Sequence, residues 1–249
     1  MSDLVLLHGW GMNAAVWSGL PPALGQRYRL HPIELPGHGE SPLNTEPSLT
    51  GWAQAVLTAA PARAIWLGWS LGGLIALQAA RLAPERIDAL ILMTATPRFV
   101  QGLGWPQAMP LTTLQQFQAA LLENSRETLD RFLALQVRGS VGARETLRQL
   151  RRELRQRPAP QPAALEIGLE LLRTSDLRAT LPRLSMPSLW LFGQRDTLVP
   201  AELGGDLKPL LPRARICTLS GAAHAPFLSH PQAVSDSILG FGMNDARDR

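Results

Sequence analysis

The sequence predicts an α/β protein: a mostly parallel sheet of about six strands, with helices on both faces and a helical cap insertion. Two observations lead to this prediction. Short apolar runs of strand length alternate with longer helical patterns along most of the chain, and one central stretch interrupts this alternation with helical patterns alone. The chain of 249 residues, 45% of them hydrophobic, suits one core domain with an inserted subdomain.

Six short segments are predicted to be strands. Residues 29–35 alternate between apolar and polar side chains and end in a turn, while the other segments are apolar runs of a length typical of parallel strands that helices cover on both faces. They span residues 4–7, 29–35, 64–68, 87–95, 188–193 and 215–219. Patterns with helical spacing lie between or after them, at residues 16–24, 49–60, 71–82 and 231–241. This order favours parallel pairing, since parallel strands need a long crossover connection.

Residues 111–172 carry only helical patterns, rich in Gln, Arg and Glu. Glycines and prolines punctuate the entry to this segment, and the prolines between residues 158 and 162 divide it in two. We therefore predict a core in two parts, residues 1–110 and 173–249, interrupted by a helical cap or lid at residues 111–172.

Composition bounds the compartment and the partners. The single cysteine, Cys217, excludes an internal disulfide framework and is typical of a reducing compartment. The apolar run near the N-terminus is too short for a signal peptide, and no stretch approaches a membrane span in length. We expect a soluble, cytoplasmic monomer that enters no membrane. The net charge of +4 favours acidic partners, but the basic residues lack the interleaved aromatics that would indicate nucleic-acid binding.

A candidate nucleophile lies between the third predicted strand and the following helix. Ser70 is the centre of Gly68-Trp69-Ser70-Leu71-Gly72, a Gly-x-Ser-x-Gly motif. A sharp strand-to-helix turn holds such a serine in a strained conformation with its hydroxyl exposed, and side chains at the glycine positions would clash with that turn. The bare pattern is common, whereas its strand-turn-helix context is specific. We predict that Ser70 is the nucleophile of a serine hydrolase.

A serine hydroxyl needs a general base, and His224 is the candidate. It lies on the loop Gly221-Ala-Ala-His-Ala-Pro just after the last predicted strand. The remaining histidines lie beside glycines, within a strand pattern or at a helix start: His8, His38, His31 and His230. The loop position favours His224.

The base in turn needs a carboxylate that fixes its tautomer and stabilises the imidazolium. Asp196 directly follows the strand predicted at residues 188–193. Asp176, Glu202 and Asp206 compete for this role, but none directly follows a strand, where functional groups gather in parallel sheets. The chain order serine, aspartate, histidine agrees with that of hydrolases that carry this turn.

The tetrahedral intermediate of acyl transfer needs two preorganised hydrogen-bond donors. The backbone N–H of Leu71, the residue after the nucleophile, is one candidate. The backbone N–H of Trp10, in the loop His8-Gly9-Trp10-Gly11 after the first strand, is the other, because the flanking glycines allow a close approach. Trp10 could also form a wall of the pocket.

Short motifs spread over nearly the whole chain point to one known family. The core carries His8-Gly-Trp-Gly-Met-Asn, Leu35-Pro-Gly-His-Gly, Gly68-Trp-Ser-Leu-Gly-Gly and Ala222-Ala-His-Ala-Pro-Phe. The insertion and the segment after it carry Arg131-Phe-Leu-Ala-Leu-Gln136, Gly168-Leu-Glu-Leu-Leu, Asp176-Leu-Arg and Ser185-Met-Pro. Together they resemble the pimeloyl-[acyl-carrier protein] methyl ester carboxylesterase family of biotin synthesis, within the α/β-hydrolase superfamily. The insertion motif is the more diagnostic, because many α/β hydrolases share the core motifs.

The resemblance implies hydrolysis of the methyl ester of a pimeloyl chain on acyl carrier protein, with release of methanol and with no metal or organic cofactor. It implies the same triad that the residues predict, Ser70, Asp196 and His224. It also implies a substrate-binding set, in which the cap helix residues could equally be helix core: Trp10, Ser70, Leu71, Phe132, Leu133, Ala134, Leu135, Gln136 and His224. Phe117 could line the same tunnel. The fold usually has one or two strands before the His8 loop, so we expect a short sheet at that edge.

Arginines of the insertion form a row on a helix predicted at residues 143–155. Four of them recur at spacings of four, three and four: Arg144, Arg148, Arg151 and Arg155. Leucines at positions 147, 150 and 154 form an adjacent apolar stripe that could pack on the core. Arginine binds phosphate bidentately, and acyl carrier protein is acidic with a phosphate on its prosthetic arm. We hypothesise that Arg131, Arg144 and Arg148 dock the carrier; the alternative is a solvated helix face.

Three other functions remain open. A general short-chain carboxylesterase, or a hydrolase of carbon–carbon bonds, would use the same triad. A ligand receptor without catalysis on the same fold is the alternative from another class. Dehalogenases and epoxide hydrolases are disfavoured, because they need aspartate where this chain has Ser70.

Overall fold

The computed structural model describes residues 1–44 and 46–244, and these residues form a six-stranded parallel sheet. The strands are β1 Ser2–Leu7, β2 Tyr28–Ile33, β3 Ala64–Trp69, β4 Ile87–Met93, β5 Ser188–Gly193 and β6 Arg215–Leu219. They lie in the order β2-β1-β3-β4-β5-β6. The predicted α/β class and strand number are confirmed, and each predicted strand overlaps an observed one.

Helices connect these strands and cover the sheet. Those of the core are α1 Pro22–Arg27, α2 Leu49–Ala59, α3 Leu71–Leu82, α8 Leu203–Leu207, α9 Pro226–Ser229 and α10 Pro231–Asn244. The prediction of one helix over residues 16–24 is wrong. The chain instead forms a 3-10 turn at Ala14–Gly19 and then α1, because Leu20 and Pro21 are extended. A residue before proline is disfavoured in the helical region, so the Pro21-Pro22 pair separates the two elements.

Between β4 and β5, ahead of a 3-10 helix at Arg178–Arg183, the chain forms four further α-helices with no strand among them. They are α4 Leu111–Glu123, α5 Ser125–Val137, α6 Ala143–Leu154 and α7 Pro162–Thr174. A loop precedes them, closed by an isolated bridge between Val100 and Met109. The apolar stripe predicted on α6 packs inward: Leu150 is fully buried, and Leu147 and Leu154 pack against the core.

The centre of the sheet is buried on both faces. Every residue of β5 is buried, and the side chains of Leu4, Leu6, Trp66 and Trp190 have no exposed surface. The edge strands β2 and β6 are more exposed, and Pro32 on β2 provides no N–H for a further strand. Among the described helices, none is both long and apolar enough to cross a membrane.

Candidate active site

Ser70 occupies a strained turn between β3 and α3. Its φ of 55° and ψ of −119° lie outside the regions that non-glycine residues prefer. A Cβ at Gly68 would lie 2.5 Å from backbone atoms of the first turn of α3, and a Cβ at Gly72 would lie 2.4 Å from the carbonyl of Leu7. The backbone N–H of Ser70 donates to the carbonyl of Met93 at 3.1 Å. Close packing therefore requires both glycines and holds the serine in place.

A buried hydrogen-bonded chain links Ser70, His224 and Asp196. The Oγ of Ser70 lies 2.9 Å from Nε2 of His224, whose Nδ1 lies 2.7 Å from Oδ2 of Asp196. The three residues are at most 6% exposed. A carboxylate beside Nδ1 favours the tautomer with the proton on that nitrogen, which leaves Nε2 free to accept the serine proton. This geometry suits a general base that acts on the Ser70 hydroxyl.

Backbone donors fix the Asp196 carboxylate. Its Oδ1 accepts the N–H groups of Leu198 at 2.8 Å and Val199 at 3.0 Å, while Oδ2 faces the imidazole. These bonds hold the carboxylate in place beside the imidazole. The competing Asp176 instead pairs with Arg98 and Arg178, each at 2.7 Å, and these partners hold its pKa well below the usual range. Asp206, another competitor, lines a separate surface pocket with Asp176.

The His224 loop is anchored on both sides. Its carbonyl accepts two hydrogen bonds, from Nε1 of Trp69 at 2.7 Å and from Oγ1 of Thr94 at 2.8 Å. Thr94 has a φ of 42°, so it is a second strained residue at the end of a neighbouring strand. The N–H of Ala225 donates to the carbonyl of Gln136, on cap helix α5, at 3.0 Å. The core and the cap thus position the imidazole together.

The predicted oxyanion donors lie on either side of the serine. Leu71 is the first residue of α3, where the orphan N–H groups of a helix gather. The loop that carries Trp10 lies against the nucleophile, because a Cβ at Gly9 would be 3.3 Å from the Cβ of Ser70. Within the described part of the chain, neither backbone N–H donates a hydrogen bond. Both remain available to an oxygen bound above Ser70.

An apolar cavity opens above Ser70 and His224. Its empty volume is about 590 Å³ with the open mouth included. Apart from these two residues and Thr113, its lining is hydrophobic and comes from the core, the cap and the loop before the cap: Phe99, Met109, Leu114, Phe117, Phe132, Leu135, Leu169, Leu172 and Leu198. The arrangement suits a neutral, mainly aliphatic acyl chain.

The predicted substrate-binding segment of α5 divides between two environments. Phe132 and Leu135 line the cavity, because residues three apart share a helix face. Leu133 is buried elsewhere, Ala134 is exposed, and Gln136 contributes the carbonyl that holds the His224 loop. These last three are not cavity-lining residues.

Trp10 and Leu71 also lie outside the cavity lining, although the sequence predicts that both bind substrate. The Trp10 ring packs edge-on against Phe117 at 5.4 Å and Phe132 at 4.9 Å between ring centroids, behind the cavity wall. The sequence did not identify Phe99, Met109, Leu169, Leu172 and Leu198 as lining residues. Leu169 and Leu172 are three residues apart on α7. Among these residues, only this spacing could have indicated that two of them share a helix face.

The arginines predicted to dock a carrier are exposed on α5 and α6. Arg131 pairs with Glu127 at 2.5 Å, and Arg148 forms an ion pair with Glu145 one turn away. Arg144 forms no ion pair with any described residue. Exposed pairs within a helix are worth well under about 1 kcal/mol, so these arginines can exchange their partners for an anionic surface.

Two other histidines form a buried pair beneath the Trp10 loop. Nδ1 of His38 donates to the carbonyl of Pro36 at 3.0 Å, and its Nε2 accepts the N–H of Gly11 at 3.4 Å. Burial, with the nearby His8 as a smaller cause, lowers the pKa of His38 to about 3. His8 accepts the N–H of Leu35 at 3.0 Å. Both hydrogen-bond to backbone groups of the chain next to the nucleophile, and the only described hydrogen bond to the Ser70 hydroxyl is that of His224.

No group of three or more His, Cys, Asp or Glu side chains within residues 1–44 and 46–244 is arranged to hold a metal ion. The groups at the site that can take part in acyl transfer are the serine, histidine and carboxylate described above, together with backbone N–H groups.

Comparison with known proteins gives a consistent assignment. Residues 4–231 match the family described as the alpha/beta hydrolase fold. A pimeloyl-[acyl-carrier protein] methyl ester esterase of Aeromonas hydrophila is 48% identical over 241 residues, covering 96% of this chain and 94% of that protein. One of Xanthomonas axonopodis is 46% identical over 238 residues with the same coverage. The solved structure of the esterase EaEST from Exiguobacterium antarcticum has a TM-score of 0.85 at 19% identity, covering 97% of this chain and 91% of that one, and so shares the fold.

Proposed function

The chain belongs to the family of the alpha/beta hydrolase fold, and we propose that it is a serine carboxylesterase that hydrolyses the methyl ester of pimeloyl-acyl carrier protein. The products are methanol and the carrier-bound pimeloyl free acid, and the step serves biotin synthesis. The observation that carries the proposal is the chain Ser70–His224–Asp196, with contacts of 2.9 and 2.7 Å, at the wall of an apolar cavity. Relatives that share 44–48% of the residues bear the name of this activity.

The first half of the reaction forms an acyl-enzyme. Oγ of Ser70 attacks the ester carbonyl while Nε2 of His224 accepts the hydroxyl proton, and Asp196 stabilises the imidazolium. The backbone N–H groups of Trp10 and Leu71 stabilise the oxyanion of the tetrahedral intermediate. Collapse of this intermediate breaks the bond to the methoxy group, and the imidazolium returns its proton so that methanol leaves.

The second half of the reaction hydrolyses that acyl-enzyme. His224 removes a proton from a water molecule, which attacks the acyl carbon and forms a second tetrahedral intermediate. The bond to Ser70 then breaks, and the serine regains its proton from the imidazolium. Each group ends the cycle in its starting state, so no further reactant is needed.

The cap residues that line the cavity support an aliphatic acyl chain as the substrate. Phe117, Phe132, Leu135 and Leu169 from three cap helices offer an aliphatic chain an apolar environment. The polar carrier and its phosphate remain outside, where the exposed Arg131, Arg144 and Arg148 favour an anionic surface. A linear substrate that is neutral at its ester end and anionic at its carrier end fits both features.

Purified protein should convert pimeloyl-acyl carrier protein methyl ester to the free acid, as followed by intact-protein mass spectrometry. Ser70→Ala should show no turnover above background. The wild type, but not Ser70→Ala, should also rescue a biotin-requiring strain that lacks its own esterase. Efficient cleavage of short p-nitrophenyl esters with no turnover of the carrier-bound ester would favour the general carboxylesterase. No turnover of any ester would favour the receptor.

Carrier docking has its own test. The double variant Arg144→Glu/Arg148→Glu should raise KM for the carrier-bound ester about tenfold or more and leave kcat/KM for p-nitrophenyl butyrate unchanged. A matched control is Arg183→Glu/Arg213→Glu, which makes the same charge change at exposed positions of the core. Equal losses on both substrates, or no loss on either, would contradict the docking role.

A further inference from the structure

Trp10 is held by the cap as well as by the core. Its side chain is fully buried, and its Nε1 donates to the carbonyl of Leu165 on α7 at 2.8 Å. Phe117 of α4 and Phe132 of α5 pack against the edges of the same ring. Three of the cap helices therefore contact one residue of the loop beside Ser70.

Gly168 makes the contact with α7 possible. A Cβ at this position would lie 2.6 Å from Cδ1 and 3.1 Å from Nε1 of Trp10, and 3.3 Å from Cδ2 of Leu71. The first distance is shorter than real Cβ contacts allow, and the indole is a rigid ring enclosed on its other sides. Glycine in the interior of a helix is less favourable than alanine. Glycine is needed at position 168 because any side chain there would clash with the Trp10 ring.

The loop on the other side of Trp10 is equally constrained. Gly11 has a φ of 68°, and a Cβ there would lie 2.9 Å from Cδ2 of Leu129 on α5. A Cβ at Gly9 would instead lie 3.3 Å from the Cβ of Ser70. The backbone at residue 10 is thus held between the nucleophile and the cap, and the indole bond to α7 fixes how that backbone is turned.

We propose that Gly168 is a positioning residue for the oxyanion hole: by leaving room for the Trp10 indole on α7, it fixes the direction of the Trp10 backbone N–H. This inference rests on the proposed esterase function. It also links the hole to the acyl cavity, because Leu169 and Leu172 of the same helix line that cavity. Gly168 itself touches no reacting atom, and its effect passes through Trp10.

The test is Gly168→Ala, measured with p-nitrophenyl butyrate. We expect kcat to fall about tenfold to a hundredfold while KM changes less than about threefold, because the displaced donor acts on the transition state. Affinity for an alkyl trifluoromethyl ketone, whose serine adduct carries an oxyanion, should fall in parallel with kcat. Gly25→Ala is the matched control: Gly25 lies in a helix where an added Cβ would meet nothing within 4 Å, and this variant should keep wild-type kcat.

A second variant covers the case in which Gly168→Ala fails to fold. Trp10→Phe keeps a ring between Phe117 and Phe132 but removes the bond to Leu165, so kcat should again fall more than KM rises. Wild-type kcat in folded Gly168→Ala, or in Trp10→Phe when the first variant does not fold, would overturn the inference. A loss confined to KM would do the same. Wild-type protein that cleaves no ester would instead refute the proposed function, and the inference with it, before any variant is compared.

Discussion

The buried imidazoles of His224 and His38 differ in the group that lies next to Nδ1. Each is at most 1% exposed, and each has Nδ1 directed at an oxygen. For His224 that oxygen belongs to the carboxylate of Asp196 at 2.7 Å, whereas for His38 it belongs to the carbonyl of Pro36 at 3.0 Å. A carbonyl fixes a tautomer, but only a full negative charge compensates a buried imidazolium.

The difference separates a chemical role from a structural one. Burial without an anion lowers the pKa of His38 to about 3, so this ring stays neutral and serves as an acceptor for the N–H of Gly11. The same burial beside Asp196 gives a ring that can receive a proton during catalysis. Burial alone therefore does not identify a catalytic histidine; a carboxylate next to Nδ1 does.

Removing that charge should have the largest effect. Asp196→Asn leaves a neutral amide beside Nδ1, which no longer favours the productive tautomer or stabilises the imidazolium. We expect kcat for p-nitrophenyl butyrate to fall on the order of 10³- to 10⁴-fold. Asp236→Asn, at an exposed position of α10, should leave kcat unchanged. A decrease in kcat of less than tenfold in Asp196→Asn would contradict the role that we assign to this carboxylate.

Replacing the other imidazole should act on stability instead. His38→Gln disturbs the buried bonds to Pro36 and Gly11, so the free energy of unfolding at pH 7.5 should fall by about 2–3 kcal/mol. We expect kcat to fall no more than about tenfold, through the Trp10 loop. Urea unfolding and esterase kinetics on the same preparation measure the two effects. A catalytic loss as large as that of Asp196→Asn, without loss of stability, would assign His38 to the chemistry.

The pH dependence of the free energy of unfolding tests whether His38 is neutral in the folded chain. The pKa of His38 is about 3 in the folded chain against an ordinary 6.5, so the unfolded chain binds the additional proton between these values. The stability that the neutral ring contributes is present above pH 6.5 and is lost as the pH falls toward 3. Lowering the pH from 6 to 5 should cost the wild type about 1 kcal/mol more than His38→Gln. Equal losses in the two proteins would contradict the neutral assignment.

The smallest effect concerns the backbone of His224. Thr94→Val keeps the shape of the side chain but removes one of the two donors to the His224 carbonyl, while Trp69 retains the other. We expect a loss of about 1 kcal/mol in stability and a few-fold decrease in kcat. The control is Thr58→Val, which removes the hydrogen bond from the exposed Thr58 hydroxyl to the carbonyl of Gln54 within α2. No change at residue 94 would mean that Trp69 alone positions the carbonyl.

The strand-turn-helix unit around Ser70 could be predicted from the sequence, because its determinants are local. Gly68 and Gly72 around Ser70 are required by contacts within a single strand-turn-helix unit and with the strand beside it. The central strands were recognisable because each is a short apolar run that is buried on both faces, and β2 was recognisable by its alternation of apolar and polar residues. The break at Pro21-Pro22 was also visible in the sequence, and the prediction of a continuous helix there overlooked the effect of proline on the preceding residue.

The cavity wall could not be predicted in the same way. Phe99, Met109, Leu169 and Leu198 come from segments that meet only in the folded chain. Helical spacing shows which residues share a face but not what that face contacts. The resemblance grouped Phe132 with its four successors on α5, of which only Leu135 also lines the cavity. Spacing likewise aligned the arginines of α6, and the interval of three residues between Glu145 and Arg148 is that of an ion pair within a helix, which the structure contains.

The hydrophobic lining of the cavity also bears on how the enzyme is inhibited. In the proposed reaction the product is a carboxylic acid, which is an anion at neutral pH and has polar partners only at the Ser70 end of a cavity whose other walls are hydrophobic. A carboxylate that binds in such surroundings loses its hydration and gains few partners in return, which is unfavourable. The acid should therefore compete poorly with fresh ester for the cavity, and product inhibition should be weak even when the acid accumulates well above the ester.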